Sequence, residues 1–499
     1  MSNDGTDRRS FLVGTGVTAA AAWAAPTIVS APAASAATQP PVPPGSILDQ
    51  PASEAPIDHI VIVMMENRSF DHWLGWLAED AAYLSAGLSR YGAGFTVDGQ
   101  QHQTYPSAGG PVATEHLLTM LGGAGEDPYR GCGHNDPGHG WTQGRAQRDG
   151  GFLAVGSNND QFATGFYVGD DLPFTSQLAK RFAICDHSHA SILGPTYPNR
   201  EYLFAAQSFG RKNNSTDPNG FPGDTIWDRL TAAGVSMKSY YTDLPVLALW
   251  GSRMAPFFHK IDDYFADCAA GTLPTVSFVD PGFLTGSRTD NHPHGDIRSG
   301  ERFVRDVFAA FLRSSHYQRG LAVLTYDEWG GFFDHVAPPI FVDDRASAVD
   351  ADNFGQAGFR VPTVLASPYA PRGSVDHRVY DHTSILRFLE WRFLGAPPEG
   401  TGGAAGWSLT SRDRNALNIG ASLITTPDLA IDIDLDVAID PPSPVCAGEG
   451  ATVGLVAASG DPLPVGDKHS LEEAYDDGYF ERVGVDTTPS PMAASWVGG

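Results

Sequence analysis

The chain has 499 residues, 42 % of them hydrophobic and 18 % charged, a composition that excludes a disordered protein. It is long enough for one large α/β domain or two domains. The formal net charge of −26 at pH 7 excludes nucleic acid and anionic membranes as electrostatically favoured partners, but not a zwitterionic lipid head group.

The N-terminus reads as an export signal. Asp7-Arg8-Arg9-Ser10-Phe11-Leu12 precedes a weakly apolar run and then Ala34-Ser35-Ala36. Twin arginines, a modest apolar stretch and an Ala-x-Ala site predict a Tat signal over residues 1–36, and so a secreted or cell-wall-associated protein. A Sec signal with incidental arginines is the alternative. Nothing later is apolar for long enough to span a membrane. Residues 37–55, rich in Pro, Ala and Ser, read as a linker.

Over residues 56–425 strands and helices alternate, which predicts a parallel α/β sheet in one catalytic domain. Strand 59–65 comes first. A Gly-, His- and Asp-rich stretch over 87–160 reads as loop insertions above the sheet. A helix over 174–182, a turn at 194–200 opening a second helix, and a strand over 275–280 follow. The helix over 301–314 presents Phe303, Val307, Phe308 and Phe311 on one face. Strands over 321–326 and 361–366 lead to a helix over 383–393 with Asp381 near its start. Residues 426–499 read as a C-terminal extension, partly disordered, with a short helical pattern near 470–480 and no visible chemistry.

Two strands run straight into oxygen-bearing side chains. The first ends in Glu66-Asn67-Arg68-Ser69-Phe70-Asp71, the second in Asp327-Glu328-Trp329-Gly330-Gly331. Strand C-termini are where open α/β sheets bind ligands. Neighbouring residues on a strand face opposite sides, so both members of each pair reach one ligand only if the chain turns there; Gly330 and Gly331 supply such a turn. Three carboxylates and an amide suit one hard divalent cation, Ca²⁺, Mg²⁺ or Mn²⁺ rather than Zn²⁺. A helix cap or an ion pair with arginine is the plainer reading of either pair alone.

Thr196, in Gly194-Pro195-Thr196-Tyr197-Pro198-Asn199-Arg200, sits where a helix begins. It is either a cap or, beside a cation and a helix N-terminus, a nucleophile towards phosphorus. His139, His292, His294, His335 and His382 fall inside motifs. Singly each reads as structural; together they suit proton transfer and phosphoryl binding. Trp73, Trp76 and Leu77 are spaced for core packing or, alternatively, for lipid contact. Cys132, Cys185, Cys268 and Cys446 lack the spacing of a zinc site. They predict one or two disulfides with the pairing open; a catalytic cysteine is the minor alternative.

Glu-Asn-Arg-Ser-Phe-Asp, Pro-Thr-x-Pro-Asn-Arg, Tyr-Asp-Glu-x-Gly-Gly-Phe-Phe-Asp-His-Val and Asp-His-Thr-Ser, in this order over about residues 57–425, resemble the bacterial phosphoesterase family. That family holds the non-zinc phospholipases C and a branch of acid phosphatases. The resemblance implies an alkaline-phosphatase-like α/β sandwich, with a large mixed, mostly parallel sheet between helices. It implies one metal ion on Glu66, Asn67, Thr196, Asp327 and Glu328, with Thr196 also the nucleophile. His139 and His292 would bind the phosphoryl group and serve the leaving group, with less defined roles for His335, His382 and His294. Thr at the nucleophile favours the phospholipase C branch, acting on phosphatidylcholine-type diesters as a monomer with transient contact at a membrane surface. An acid phosphatase is the alternative, and a non-catalytic secreted metal-binding protein the alternative of another class. No Cys/Ser-x-Pro-x-Arg run stands at the nucleophile, which disfavours a sulfatase.

Overall fold

The computed structural model describes residues 42–123, 125–402, 406–446 and 469–498. The expected export signal, the start of the linker, and residues 447–468 and 499 of the expected C-terminal extension lie outside the described residues.

Eight strands form the central sheet: His59–Met65 (β1), Ala183–Cys185 (β2), Met237–Tyr241 (β3), Phe258–Lys260 (β4), Val276–Asp280 (β5), Gly320–Tyr326 (β6), Val364–Ala366 (β7) and Val375–Asp376 (β8). Their order is β8-β2-β7-β6-β1-β5-β3-β4. β7 alone runs against the others, which makes the mixed, mostly parallel sheet expected from the sequence. Every residue of β6 and all but the first of β1 are buried. Such unbroken apolar runs belong to strands covered on both faces.

The helices that position the site are Phe70–Trp73 (α1), Trp141–Gly150 (α2), Thr175–Arg181 (α3), Thr196–Ala205 (α4), Ile297–Arg313 (α5), His382–Leu394 (α6) and Ser470–Asp476 (α7). In α5 the expected apolar face is buried. The helix starts earlier than its apolar spacing indicates, because Asp296 caps it by accepting the Arg298 N–H at 2.9 Å. Asp381 caps α6 in the same way. α4 and α6 pack together over the sheet, and every residue of α4 is buried.

Trp73, Trp76 and Leu77 are buried in the core, which settles their spacing as packing and overturns lipid contact. Ser46, Ile47 and Leu48, within the segment read as linker, are also buried; the Ile47 N–H donates to the Leu423 carbonyl at 3.0 Å. Cys132 and Cys446 form a disulfide. Cys185 and Cys268 are buried thiols. Burial pushes Cys268 up to about 12 and Cys185 well above its ordinary value, so neither is a nucleophile.

Candidate active site

β1 and β6 are adjacent and parallel, with Met65 opposite Tyr326. Glu66 and Asp327 therefore leave the sheet side by side. The chain turns at once on both sides. Asn67 adopts φ 58°, a left-handed conformation that Asn tolerates better than most residues. Its N–H donates to Asp327 Oδ1 at 3.0 Å, and the Arg68 N–H donates to the Glu328 carbonyl at 3.1 Å. Gly330 has φ +63°, and a Cβ there would lie 2.3 Å from the Asn67 carbonyl oxygen. Gly331, at φ +71°, lets the Pro137–Gly138 backbone approach to a distance a side chain would forbid.

The carboxylates share a pattern. In each, one oxygen is held by the protein and the other is buried without a hydrogen bond. Asp327 Oδ1 accepts from the Asn67 and Glu328 N–H groups, while Oδ2 accepts none. Glu328 Oε2 accepts the Gly330 N–H at 2.8 Å, while Oε1 accepts none. Glu66 Oε1 is held at 2.5 Å by His469 Nε2, while Oε2 has no donor. Asp290 Oδ1 accepts the His292 N–H at 2.9 Å, while Oδ2 accepts none. Both polar atoms of the Asn67 amide are likewise buried and unbonded. Buried polar atoms without partners cost free energy. An oxygen set of this kind fits a divalent cation.

The electrostatics agree. Burial raises the Glu66, Asp290, Asp327 and Glu328 carboxyls, and mutual repulsion adds to it at the last three, bringing Asp327 to about 7. Arg200 opposes this. Its guanidinium lies 3.5 Å from both Glu66 Oε1 and Asp327 Oδ2. One guanidinium at such long distances does not neutralise this many carboxylates; a dication would restore the balance.

Thr196 is buried at the first position of α4. The N-cap is Pro195, with no side-chain cap bond, so the Thr196 hydroxyl is not the cap. Arg200 follows one turn later on the same helix face, and its guanidinium reaches the carboxylate cluster. Pro195 also lines a cleft of about 380 Å³ with Asp136, His139, Trp141, Lys212 and Asn214, and the Asn214 side chain accepts the Tyr197 N–H at 2.8 Å.

His139 and His292 meet edge to face, with ring centroids 5.9 Å apart. Asp136 joins them, ligand atoms of the three lying within 4.8 Å of one another. His139 Nδ1 donates to the Pro137 carbonyl at 2.8 Å, and His292 Nδ1 to the Pro293 carbonyl. In the neutral rings Nε2 is then the unprotonated nitrogen. Burial, with His469 and Arg288 nearby, holds His292 well below its usual range.

The other histidines stand apart. His382 donates from Nε2 to the Tyr326 carbonyl at 2.9 Å, bracing the end of β6. His294 donates from Nε2 to the His134 carbonyl at 2.9 Å and lines a separate 160 Å³ cavity with Arg130 and Arg288. His335 bridges Asp71 at 2.6 Å and Asp98 at 3.1 Å, within a network in which Arg360 holds Asp71 and Asp334. It braces α1 rather than facing the carboxylates.

Sequence reasoning missed Arg200, Asp290, Asp136 and His469. The first three lie inside or beside motifs already singled out, so their proximity was available as a signal. His469 had none. It belongs to the extension expected to carry no chemistry, and its contact with Glu66 corrects that expectation.

The Phosphoesterase family matches residues 57–394. Non-specific phospholipase C5 of Arabidopsis thaliana is 29 % identical over 371 residues, covering 66 % of this chain and 69 % of the relative. Phospholipase C B of Mycobacterium tuberculosis is 29 % identical over 406 residues, covering 68 % and 74 %. Among solved structures, the phosphonate monoester hydrolase of Agrobacterium radiobacter is 10 % identical, covers 67 % of this chain and 73 % of its own, and has a TM-score of 0.31. All the sequence-derived site residues fall within the matched span; His469 falls outside it. The chain belongs to the Phosphoesterase family and is a hydrolase of phosphoric esters.

Proposed function

We propose that the chain is an exported phospholipase C that cleaves glycerophospholipid diesters of the phosphatidylcholine type on the glycerol side, through a phosphothreonine at Thr196. The observation that carries this reading is the seating of Arg200, one turn after Thr196, between Glu66 and Asp327. Lone oxygens on Glu66, Asn67, Asp327 and Glu328 would hold the cation, with Thr196 beside them, and Ca²⁺, Mg²⁺ or Mn²⁺ suits them better than Zn²⁺. When bound, the cation supplies positive charge that lowers the cost of an ionised hydroxyl and of negative phosphoryl oxygens.

Thr196 Oγ1 gives its proton to a neutral imidazole, at His139 or His292, and bonds to phosphorus as the bond to the glycerol oxygen breaks. The imidazolium so formed protonates that oxygen. Water then attacks the phosphothreonine, giving a proton to the same imidazole, which passes it to Thr196 Oγ1 as the bond from phosphorus to the threonine oxygen breaks. The products are diacylglycerol and a phosphorylated head group, with net retention at phosphorus. Neutral His292, with Nε2 unprotonated, suits the accepting half of this cycle.

One observation favours a second reading, phosphomonoester hydrolysis: Lys212 lines the cleft and could meet a third free oxygen. The two readings separate by rates on p-nitrophenylphosphorylcholine and p-nitrophenyl phosphate, followed by a lipid panel. Faster release from the monoester, with no diacylglycerol from any lipid, would reject the phospholipase C reading. Inactivity on every ester with cation supplied would favour a non-catalytic metal-binding protein.

A further inference from the structure

We infer that the C-terminal segment beyond the family-matched span completes the cation site, with His469 as a positioning residue that decides which oxygen of Glu66 faces the ion. This rests on the cation reading above.

His469 caps α7 and is fully buried. The Leu471 N–H donates to its Nδ1 at 3.0 Å. A neutral imidazole accepting there carries its proton on Nε2, and Nε2 lies 2.5 Å from Glu66 Oε1. The ring is thus a donor to Glu66 and not itself a ligand. With Oε1 taken by His469 on one side and Arg200 on the other, Oε2 is left as the lone oxygen. This is the usual arrangement of a partner that orients a metal-binding carboxylate.

The rest of the segment grips the same site. The Tyr197 hydroxyl, next to Thr196 in sequence, donates to the Ser470 carbonyl at 2.7 Å. Glu472 accepts from Arg288 at 2.8 Å and from the Thr285 N–H at 3.0 Å, fixing the loop that leads to Asp290. His469 Nε2 itself lies 3.7 Å from Asp290 Oδ2. Behind these contacts Leu471 and Phe480 are buried, and the Tyr479 hydroxyl donates to the Ala248 carbonyl at 3.0 Å. A segment docked only for stability would not need a buried imidazole whose two nitrogens are both engaged, one of them by a carboxylate that faces the ion.

The test is calorimetric titration of the chelator-stripped full chain with Mn²⁺, and again with Ca²⁺, on wild type, Glu66→Gln, His469→Asn and His469→Gln. Asn keeps an acceptor for the Leu471 N–H but stops short of Glu66, whereas the Gln amide nitrogen reaches the place of Nε2. His469→Asn should bind about 10- to 100-fold more weakly, with its thermal transition retained, and His469→Gln should bind close to wild type. Wild-type affinity in His469→Asn, alongside lost binding in Glu66→Gln, overturns the inference and leaves the cation reading standing. Equal weakening in Asn and Gln overturns it too. If wild type takes up neither ion, both readings fall.

Discussion

Thr196 and Arg200 share one face of α4 a single turn apart, and Arg200 reaches two carboxylates that stand on neighbouring strands. The helix that Thr196 opens thus delivers a fixed positive charge to the carboxylates. Thr196 caps nothing, since Pro195 is the N-cap. Thr196→Ala should therefore remove turnover, leaving at most about a thousandth of the wild-type rate by analogy with loss of other activated nucleophiles. Its stability should change by under about 1 kcal/mol, because no cap bond is lost. Diacylglycerol release from phosphatidylcholine and a urea unfolding curve on the same preparation check this. Retained activity would remove Thr196 as the nucleophile.

Cation binding to the folded state alone should raise the melting temperature. At a free concentration a hundredfold above Kd the gain is about 2.7 kcal/mol. Asp327→Asn should abolish that gain. Without cation, the same variant should be at least as stable as wild type, because it removes one of several buried, mutually repelling carboxyls. Thermal scans with chelator and with Mn²⁺, on both proteins, give the comparison.

Gly330 carries a strict steric demand. A Cβ there would press on the Asn67 carbonyl at 2.3 Å, and φ is +63°. Gly330→Ala should cost about 1–3 kcal/mol from strain of this sort, and it should weaken cation binding as well, since Asn67 must shift. A variant with unchanged stability and affinity would mean that the turn has room to adjust.

His335 should make stability pH-dependent. Burial lowers its pKa, but the ion pairs with Asp71 and Asp98 outweigh burial and push it up to about 10. A raised folded-state value means stabilisation that is full below the unfolded value of about 6.5 and is lost as pH climbs through 10. The gap in urea midpoint between wild type and His335→Gln should therefore be widest below pH 6.5 and narrow steadily towards pH 10. A gap that widens over that interval would contradict the assignment.

Arg360 is fully buried, with Asp71 and Asp334 on its two sides at 3.0 and 2.9 Å. Arg360→Met should destabilise by about 3–5 kcal/mol, because it strands the buried Asp334 carboxylate and leaves Asp71 with His335 alone. Equilibrium unfolding in urea measures this directly, and a loss under about 1 kcal/mol would show that the carboxyls protonate freely.

The periodicity of α5 and the apolar runs of β1 and β6 were legible because burial on one face, or on both, leaves its mark on neighbouring residues. The acidic pairs were legible for a related reason. Carboxylates directly after an apolar strand are costly unless something neutralises them, so their presence there is informative without coordinates. Core packing was the plainer reading of Trp73 and Trp76, but their spacing left lipid contact open, since both environments accept the same side chains. His335 and His382 sit in motifs as prominent as those of His139 and His292, yet brace α1 and β6; a motif records that a residue is constrained, not which neighbour constrains it.

The chain by itself determined four strands of the central sheet, the family motifs and the composition of an oxygen-rich site, since these depend on local pattern and on residue type. Only the tertiary structure decided that Asp290 joins the carboxylates, that Arg200 lies between two of them, that Cys132 pairs with Cys446, and that His469 reaches back over 403 positions to Glu66. The physical reason is that a hydrogen bond between distant segments depends on where packing brings them, and no spacing along the chain encodes that distance.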